Sequence, residues 1–285
     1  MASPPLLLPP SLRRQLPRAL HQARQPVGTG LLRLHLGPWA VGWVHPLRLD
    51  LLRACWPALR QDGAELHWDA ADQDMPTRSA TIAAVAQRLR ECGAITGWRD
   101  ECYDAEAPVP EPCAQRGQVL FQLERAAFRF FGLMSRAVHV NGFAPGGRLL
   151  CGRRALSKAT DPGRLDNLAA GGLSAGEGLL ACARRECAEE AGVPESLSQG
   201  LQPRGALRST RLEAQGLHDE VLHVYALRLP GGFVPRNADG EVSEFLSLDL
   251  ESLAQRLAAG EFSIDAAAVC AWGLQHEQAL ADLAA

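Results

Sequence analysis

The chain has 285 residues, with 29 lysines and arginines against 32 aspartates and glutamates, a net charge of −3 with histidine neutral. That balance excludes a general binder of nucleic acid or of an acidic membrane surface. No apolar run approaches the ~20 residues of a membrane-spanning helix, while the length allows one large or two medium domains. The eight cysteines (55, 92, 102, 113, 151, 182, 187 and 270) include no C-x-x-C pair and no histidines at zinc spacing. Such scattered thiols predict reduced, mostly buried side chains and a cytoplasmic setting. Lys158 is the sole lysine and isoleucine occurs only at 82, 95 and 264, so the high arginine, alanine and leucine content follows codon bias more than structure.

The opening MASPPLLLPP contains four prolines and lacks the ordered regions of a secretory signal, so residues 1–27 read as a disordered leader. Two short strands, 31–37 and 40–47, flank a Gly37-Pro38 turn. Residues 48–59 have helical periodicity that Pro57 should end or kink. A strand over 64–68 precedes a helix over 78–92, with Ser79 or Thr81 near its start and Gly93 past its end. Three prolines and Gly117 mark 105–118 as a linker, so the domain boundary falls near residue 115. Beyond it the pattern predicts a helix over 119–131 and strands over 137–143, 148–153, 168–170, 204–213, 220–229 and 241–248. Two helices, 250–259 and 264–281, close the chain.

Residues 171–193, GGLSAGEGLLACARRECAEEAGV, concentrate the chemistry. On a helix, Glu186, Glu189 and Glu190 share one face. Leu180, Ala183, Cys187 and Ala191 form an apolar stripe for docking. Like charges this close destabilise a bare helix, and a hard divalent cation such as Mg²⁺ or Mn²⁺ relieves the repulsion. A solvated acidic face is the plain alternative, but it explains neither the bracketing glycines nor Arg185.

The stretch resembles the signature of the Nudix hydrolases, whose pattern falls on Gly171, Glu177, Arg185, Glu186, Cys187, Glu189, Glu190, Gly192 and Val193. The one departure is Cys187 at an aliphatic position. The resemblance implies an α/β class, a Nudix α/β/α sandwich with a mixed sheet over residues 116–285, here preceded by a small α+β N-terminal domain over 28–115. It also implies that Glu189 and Glu190 are principal metal ligands, joined by the Ala170 carbonyl, with Glu186 sharing the metal or taking the water's proton. Gly171, Glu177, Arg185 and Gly192 would hold the loop and helix in register. A further carboxylate from beyond the box is common in the family; Glu241 is the first candidate, then Glu220 and Glu244. The general base stays open between Glu186 and Glu241.

The segments HVNGF (139–143), SKATDPGRLDNLAAGG (157–172) and PRNADGEV (235–242) resemble a narrower branch, related to thiamine pyrophosphokinases. GWRDECY (97–103) resembles the end of that branch's extra N-terminal domain. The implied reaction removes one phosphate from thiamine diphosphate or its oxidised analogues. A diphosphate needs cationic donors besides the metal: Lys158 first, then Arg153 and Arg154, with a surface role as the alternative. Asp166 and Asn167 are further substrate-side candidates, or turn residues. For a flat or cationic ring, Trp39, Trp43, Trp98, Tyr103 and Phe143 are available, with core packing as the default. His139 reads as a hydrogen-bonded core histidine. Competing readings are hydrolysis of ADP-ribose or a nucleoside triphosphate, isopentenyl diphosphate isomerisation, which an intact hydrolase box disfavours, and a non-catalytic ligand sensor. The expected partner is a small-molecule diphosphate, with no nucleic acid or membrane, acting on a monomer or homodimer.

Overall fold

The computed structural model describes residues 8–111 and 114–282, with side chains as far as residue 276. Helix α1 (Pro10–Ala23) comes first, where a disordered leader was expected. Leu12, Leu16, Ala19 and Ala23 recur on one helical face and are buried together with Leu8. Pro10 stands in the first turn, where a missing N–H costs nothing. Pro17 does interrupt the ladder, and burial of the leucine face outweighs it.

A first layered unit follows: strands β1 (Leu32–Leu36) and β2 (Trp39–Val44), helix α2 (Leu49–Cys55), strands β3 (Arg60–Asp62) and β4 (Glu65–Trp68), and helix α3 (Met75–Glu91). The strands form one sheet in the order β2-β1-β4-β3, parallel only at β1–β4. Helix α2 stops before Pro57. Helix α3 starts three residues earlier than the apolar spacing implies, because the Asp74 carboxylate caps it by accepting the Thr77 N–H at 2.9 Å.

Strands β5 (Cys102–Glu106) and β6 (Val119–Glu124) pair antiparallel, and helix α4 (Arg125–Phe131) leaves β6 directly. The predicted helix over 119–131 is thus half strand. Glu124 sets the switch: its carboxylate accepts the Ala126 N–H at 3.2 Å and also the N–H groups of Arg99 and Glu101. The connection after β5, read as a linker, is pinned in its described residues: buried Glu106 accepts from Arg116, Gly117 and Arg136. One apolar core runs from Leu32 through Phe121, Phe128 and Phe131 to Leu133, so packing continues across the boundary expected near 115.

The remainder is β7 (Ser135–Ala144), β8 (Arg148–Arg154), β9 (Leu165–Asp166), β10 (Ala169–Gly172), α5 (Leu179–Ala191), α6 (Glu195–Ser198), β11 (Gln202–Glu213), β12 (Gly216–Arg228), β13 (Val242–Leu248), α7 (Leu250–Ala258) and α8 (Ile264–Asp282). Seven strands make a mixed sheet, β11-β12-β7-β8-β13, with β10 on β7 and β9 on β8; only β7–β12 is parallel. Side chains alternate along the central strand β7. Val138 and Val140 join Cys182, Ala183, Cys187 and Ala191 of α5 on one face. Ala137 joins Ala268 and Val269 of α8 on the other, where α1 also packs. The result is an α/β/α sandwich with a small α+β unit before it. Leu180, assigned to the apolar stripe of α5, is 41 % exposed; Cys182 takes the buried position. Among the described residues no helix is long and apolar enough to cross a membrane.

Candidate active site

Strand β10 delivers the chain to α5 through the glycine pair. A β-carbon on Gly171 would collide with the Glu186 carboxylate, and one on Gly172 with the Tyr103 hydroxyl. Glycine at 171 therefore lets the Glu186 carboxylate lie against the β10 backbone. At the other end, Gly192 ends the helix at φ +62°, a left-handed conformation that glycine adopts without strain.

Arg185 ties the loop to the helix. Its Nε and Nη2 donate to the two oxygens of Glu177 at 2.9 and 3.0 Å, and Nη1 reaches Glu186 at 2.7 Å and Glu189 at 3.1 Å. The paired contacts give a planar fork geometry that a lysine could not supply. Burial opposes ionisation of Glu177, but Arg185 outweighs it and holds that carboxyl below its ordinary range.

Glu190 is 6 % exposed and accepts the Ala170 N–H at 2.8 Å. Burial first, then the nearby Asp166 charge, pushes its pKa well above a normal carboxylate. Glu186 is also raised, by burial, with Glu189 and Glu241 adding repulsion against the pull of Arg185. The 235–242 loop lies on the C-terminal half of α5, where Arg236 N–H donates to Ala191 O and Ala238 N–H to Glu189 O, each at 3.0 Å. Asn237 Oδ1 accepts the N–H groups of Asp239 and Gly240 and turns the chain. Asp239 and Glu241 thereby meet Glu190, with carboxylate oxygens within 4.8 Å of one another. An all-oxygen donor set of three carboxylates, one of them buried, fits a hard divalent ion. Lys158 pairs with Glu241; burial works against that carboxylate, yet the ammonium keeps its pKa low.

These groups line a cleft of about 440 Å³. Of the predicted residues, Glu186, Glu189, Glu241, Ala170, Gly171, Arg185, Lys158 and Asp166 line it, and Glu190 stands behind with its metal-type oxygens facing Asp239 and Glu241. Glu220 lines it farther along, while Glu244 is outside, paired with Arg153. Arg153, expected on the substrate side, instead donates to Glu244 and to the Gly163 carbonyl at 2.9 Å. Adjacent strand residues face opposite ways, so Arg154 reaches the cleft and binds Asp166 at 2.7 Å. Asn167, also expected there, is 2 % exposed and serves the core: it bonds His139 Nδ1 at 2.8 Å and Asn141 Oδ1 at 2.9 Å. Among the aromatic candidates Tyr103 lines the cleft, with the Arg125 guanidinium 5.4 Å from its ring centre.

Several lining residues were not anticipated. Asp239 lies inside the quoted PRNADGEV segment, and its carboxylate two residues from Glu241 was an available signal. Arg99, Glu101, Arg125 and Arg129 come from the unit around β5, β6 and α4. Glu101 accepts from Ser174 Oγ at 2.7 Å and Arg125 at 2.5 Å, which joins that unit to the loop before α5. His218 and Asp265 also line the cleft, and nothing local in the sequence marks them.

A sandwich that presents a carboxylate-rich helix end and an arginine-braced loop to a polar cleft defines a Nudix-type fold and site. The family profile described as NUDIX domain matches residues 134–268, and one described as a domain of unknown function (DUF4743) matches residues 23–135. Residues 134–268 of the chain therefore form a Nudix-family domain. Its relatives include Nudix hydrolase 20, chloroplastic, of Arabidopsis thaliana, 37 % identical over 180 residues, which is 62 % of this chain and 46 % of that protein. Isopentenyl-diphosphate Delta-isomerase of Streptomyces griseus subsp. griseus is 33 % identical over 161 residues, 56 % of this chain and 80 % of that one. A Deinococcus radiodurans crystal structure (DR0079) superposes with a TM-score of 0.44 at 28 % identity, over 57 % of this chain and 92 % of that one. The chain spans about half the length of the plant relatives it matches.

Proposed function

We propose that the chain is a metal-dependent hydrolase of a small-molecule diphosphate, and that its substrate is thiamine diphosphate or an oxidised analogue, released as the monophosphate and inorganic phosphate. The observation that carries the reading is the meeting of Glu190, Asp239 and Glu241 within 4.8 Å, beside Glu186 and Glu189 and next to Lys158. Mg²⁺ or Mn²⁺ held there by Glu190, Glu241 and Asp239, with Glu186 and Glu189 alongside, would neutralise phosphate oxygens and acidify a bound water. Lys158 and Arg154 supply the remaining positive charge facing the diphosphate. Attack of water on the terminal phosphorus breaks its bond to the bridging oxygen, and the water's proton passes to Glu186 or Glu241. Arg185, Glu177, Gly171 and Gly192 position the helix and touch no reacting atom.

The thiamine-type specificity is supported by HVNGF, SKATDPGRLDN and PRNADGEV, and by Tyr103 as a flat surface in the cleft. The described cysteines are all free, which suits the reducing cytoplasm that we assign to it. The test is kcat/KM for thiamine diphosphate against ADP-ribose, because discrimination is a ratio of these values. Thiamine diphosphate should win, and Lys158→Ala should lower its turnover. A tenfold preference for ADP-ribose, about 1.4 kcal/mol, leaves the hydrolase and removes the thiamine specificity. Isomerisation of isopentenyl diphosphate without phosphate release would remove both.

A further inference from the structure

The cleft has a second end. Ala170, beside Glu190, pairs with His139 on β7, and Glu220 of β12 pairs with Ser135. Four residue steps along β7 separate the two, roughly 13 Å at about 3.3 Å per residue, on the scale of an extended diphosphate and its head group. There His218, Glu220 and Asp265 bring nitrogen and oxygen atoms within 4.8 Å of one another. His218 is 3 % exposed, and its Nε2 lies 3.3 Å from Asp265 and 3.9 Å from Glu220 without hydrogen-bond alignment to either.

The partners decide what such a cluster suits. Asp265 already accepts from Arg211 at 2.7 and 3.1 Å and from Ser209 Oγ at 2.5 Å. Arg211 would repel a divalent ion, so the cluster is a poor metal site despite its composition. Glu220 accepts from Ser135 Oγ through Oε1 at 2.8 Å, and its Oε2 is the oxygen facing His218. An acceptor and a donor therefore stand side by side in a polar hollow, which continues into a neighbouring pocket of about 220 Å³. A hydrocarbon head group would leave the buried His218 Nε2 and the second oxygen of Glu220 unmatched.

We propose that His218 and Glu220 form the head-group subsite of the cleft, taking the edge of a nitrogen heterocycle in which an N–H donor adjoins an acceptor. Glu220 accepts the N–H and His218 donates to the neighbouring atom, while Asp265, fixed by Arg211 and Ser209, sets a negative charge beside the ring. The inference rests on the hydrolase reading above, since the diphosphate is anchored at α5.

The test compares thiamine diphosphate with isopentenyl diphosphate, which lacks such an edge, in the full-length protein and in Glu220→Gln and His218→Gln. For each variant the expected result is a tenfold rise in KM for thiamine diphosphate, kcat within twofold, and no change for isopentenyl diphosphate. Equal effects on both substrates, or none, would overturn the subsite. So would loss of the Mg²⁺-induced rise in Tm in Glu220→Gln, which would make the cluster a metal site. Binding of unphosphorylated thiamine, read as a Tm shift, gives an independent readout. It should appear in the unaltered protein and vanish in both variants, and a shift retained in them would refute the assignment. If the unaltered protein cleaves neither diphosphate, the hydrolase reading fails while thiamine binding still decides the subsite.

Discussion

Glu190 stands behind one end of the cleft and Asp265 lines the other, and the protonation biases of the two carboxylates are opposite. Glu190 has acidic neighbours, Asp166 and Glu186, and its pKa is driven well up. Burial opposes ionisation of Asp265 as well, yet His218 and Arg211 overcome it and hold its pKa well down. Burial alone therefore predicts neither state; the local charge balance does. The α5 end carries an excess of negative charge that a cation would relieve. The distal end already contains its own cations and is suited to hydrogen bonding.

That contrast can be broken by substitution. The largest effect should come from Glu190→Gln, which keeps the shape and removes a charge from the cation-seeking end. Phosphate release should fall a thousandfold or more, about 4 kcal/mol of transition-state stabilisation, and undiminished turnover would contradict the ligand assignment. At the distal end the matching change is Arg211→Met, which strands Asp265. Its cost should appear in folding, at about 3–5 kcal/mol in denaturant unfolding, and a stability unchanged within error would show that the end is not internally balanced.

A third prediction concerns a group outside both ends. His223 is buried, faces the Arg136 guanidinium at 3.1 Å, and has its pKa lowered to about 4, by burial and then by Arg136. An unfolded histidine titrates near 6.5, so between these values the unfolded chain binds the extra proton. Stability should therefore fall as pH drops from about 6.5 to about 4, by about 3 kcal/mol in all. In His223→Gln this share of the slope should disappear. An identical pH profile in the two proteins would place the acid sensitivity elsewhere. The smallest effect belongs to Arg153→Ala, whose half-exposed pair with Glu244 is worth less than about 1 kcal/mol. Its kcat/KM should match the unaltered protein, while Arg154→Ala should lower it; a large loss in Arg153→Ala would restore that residue to the substrate side.

Legibility in the sequence follows how local each device is. Glu186, Glu189, Glu190 and Arg185 stand on one helix, so fixed spacing carries their geometry. Glu241 was within reach because the 235–242 segment is itself recognisable. His218 and Asp265 lie near the starts of different elements, strand β12 and helix α8, and only the fold joins them. Arg153 and Arg154 differ by strand parity, which a one-residue register choice reverses. Asn167 resembles a turn residue until the buried Asn141 and His139 are seen beside it. In α1 the buried leucines do repeat at helical spacing, but the surrounding prolines argued locally for an unfolded leader. The segment Val119–Leu123 suits either helix or strand, and pairing with β5 makes it a strand.

The divalent ion proposed above belongs at the α5 end, with Glu190, Asp239 and Glu241. The most direct measurement is the change in Tm on adding Mg²⁺ or Mn²⁺ to the unaltered protein and to Glu190→Gln, because a ligand that binds only the folded state must stabilise it. The unaltered protein should gain several degrees at saturating metal, and Glu190→Gln should gain little or nothing. Equal shifts in the two proteins, or none in the unaltered one, would contradict it.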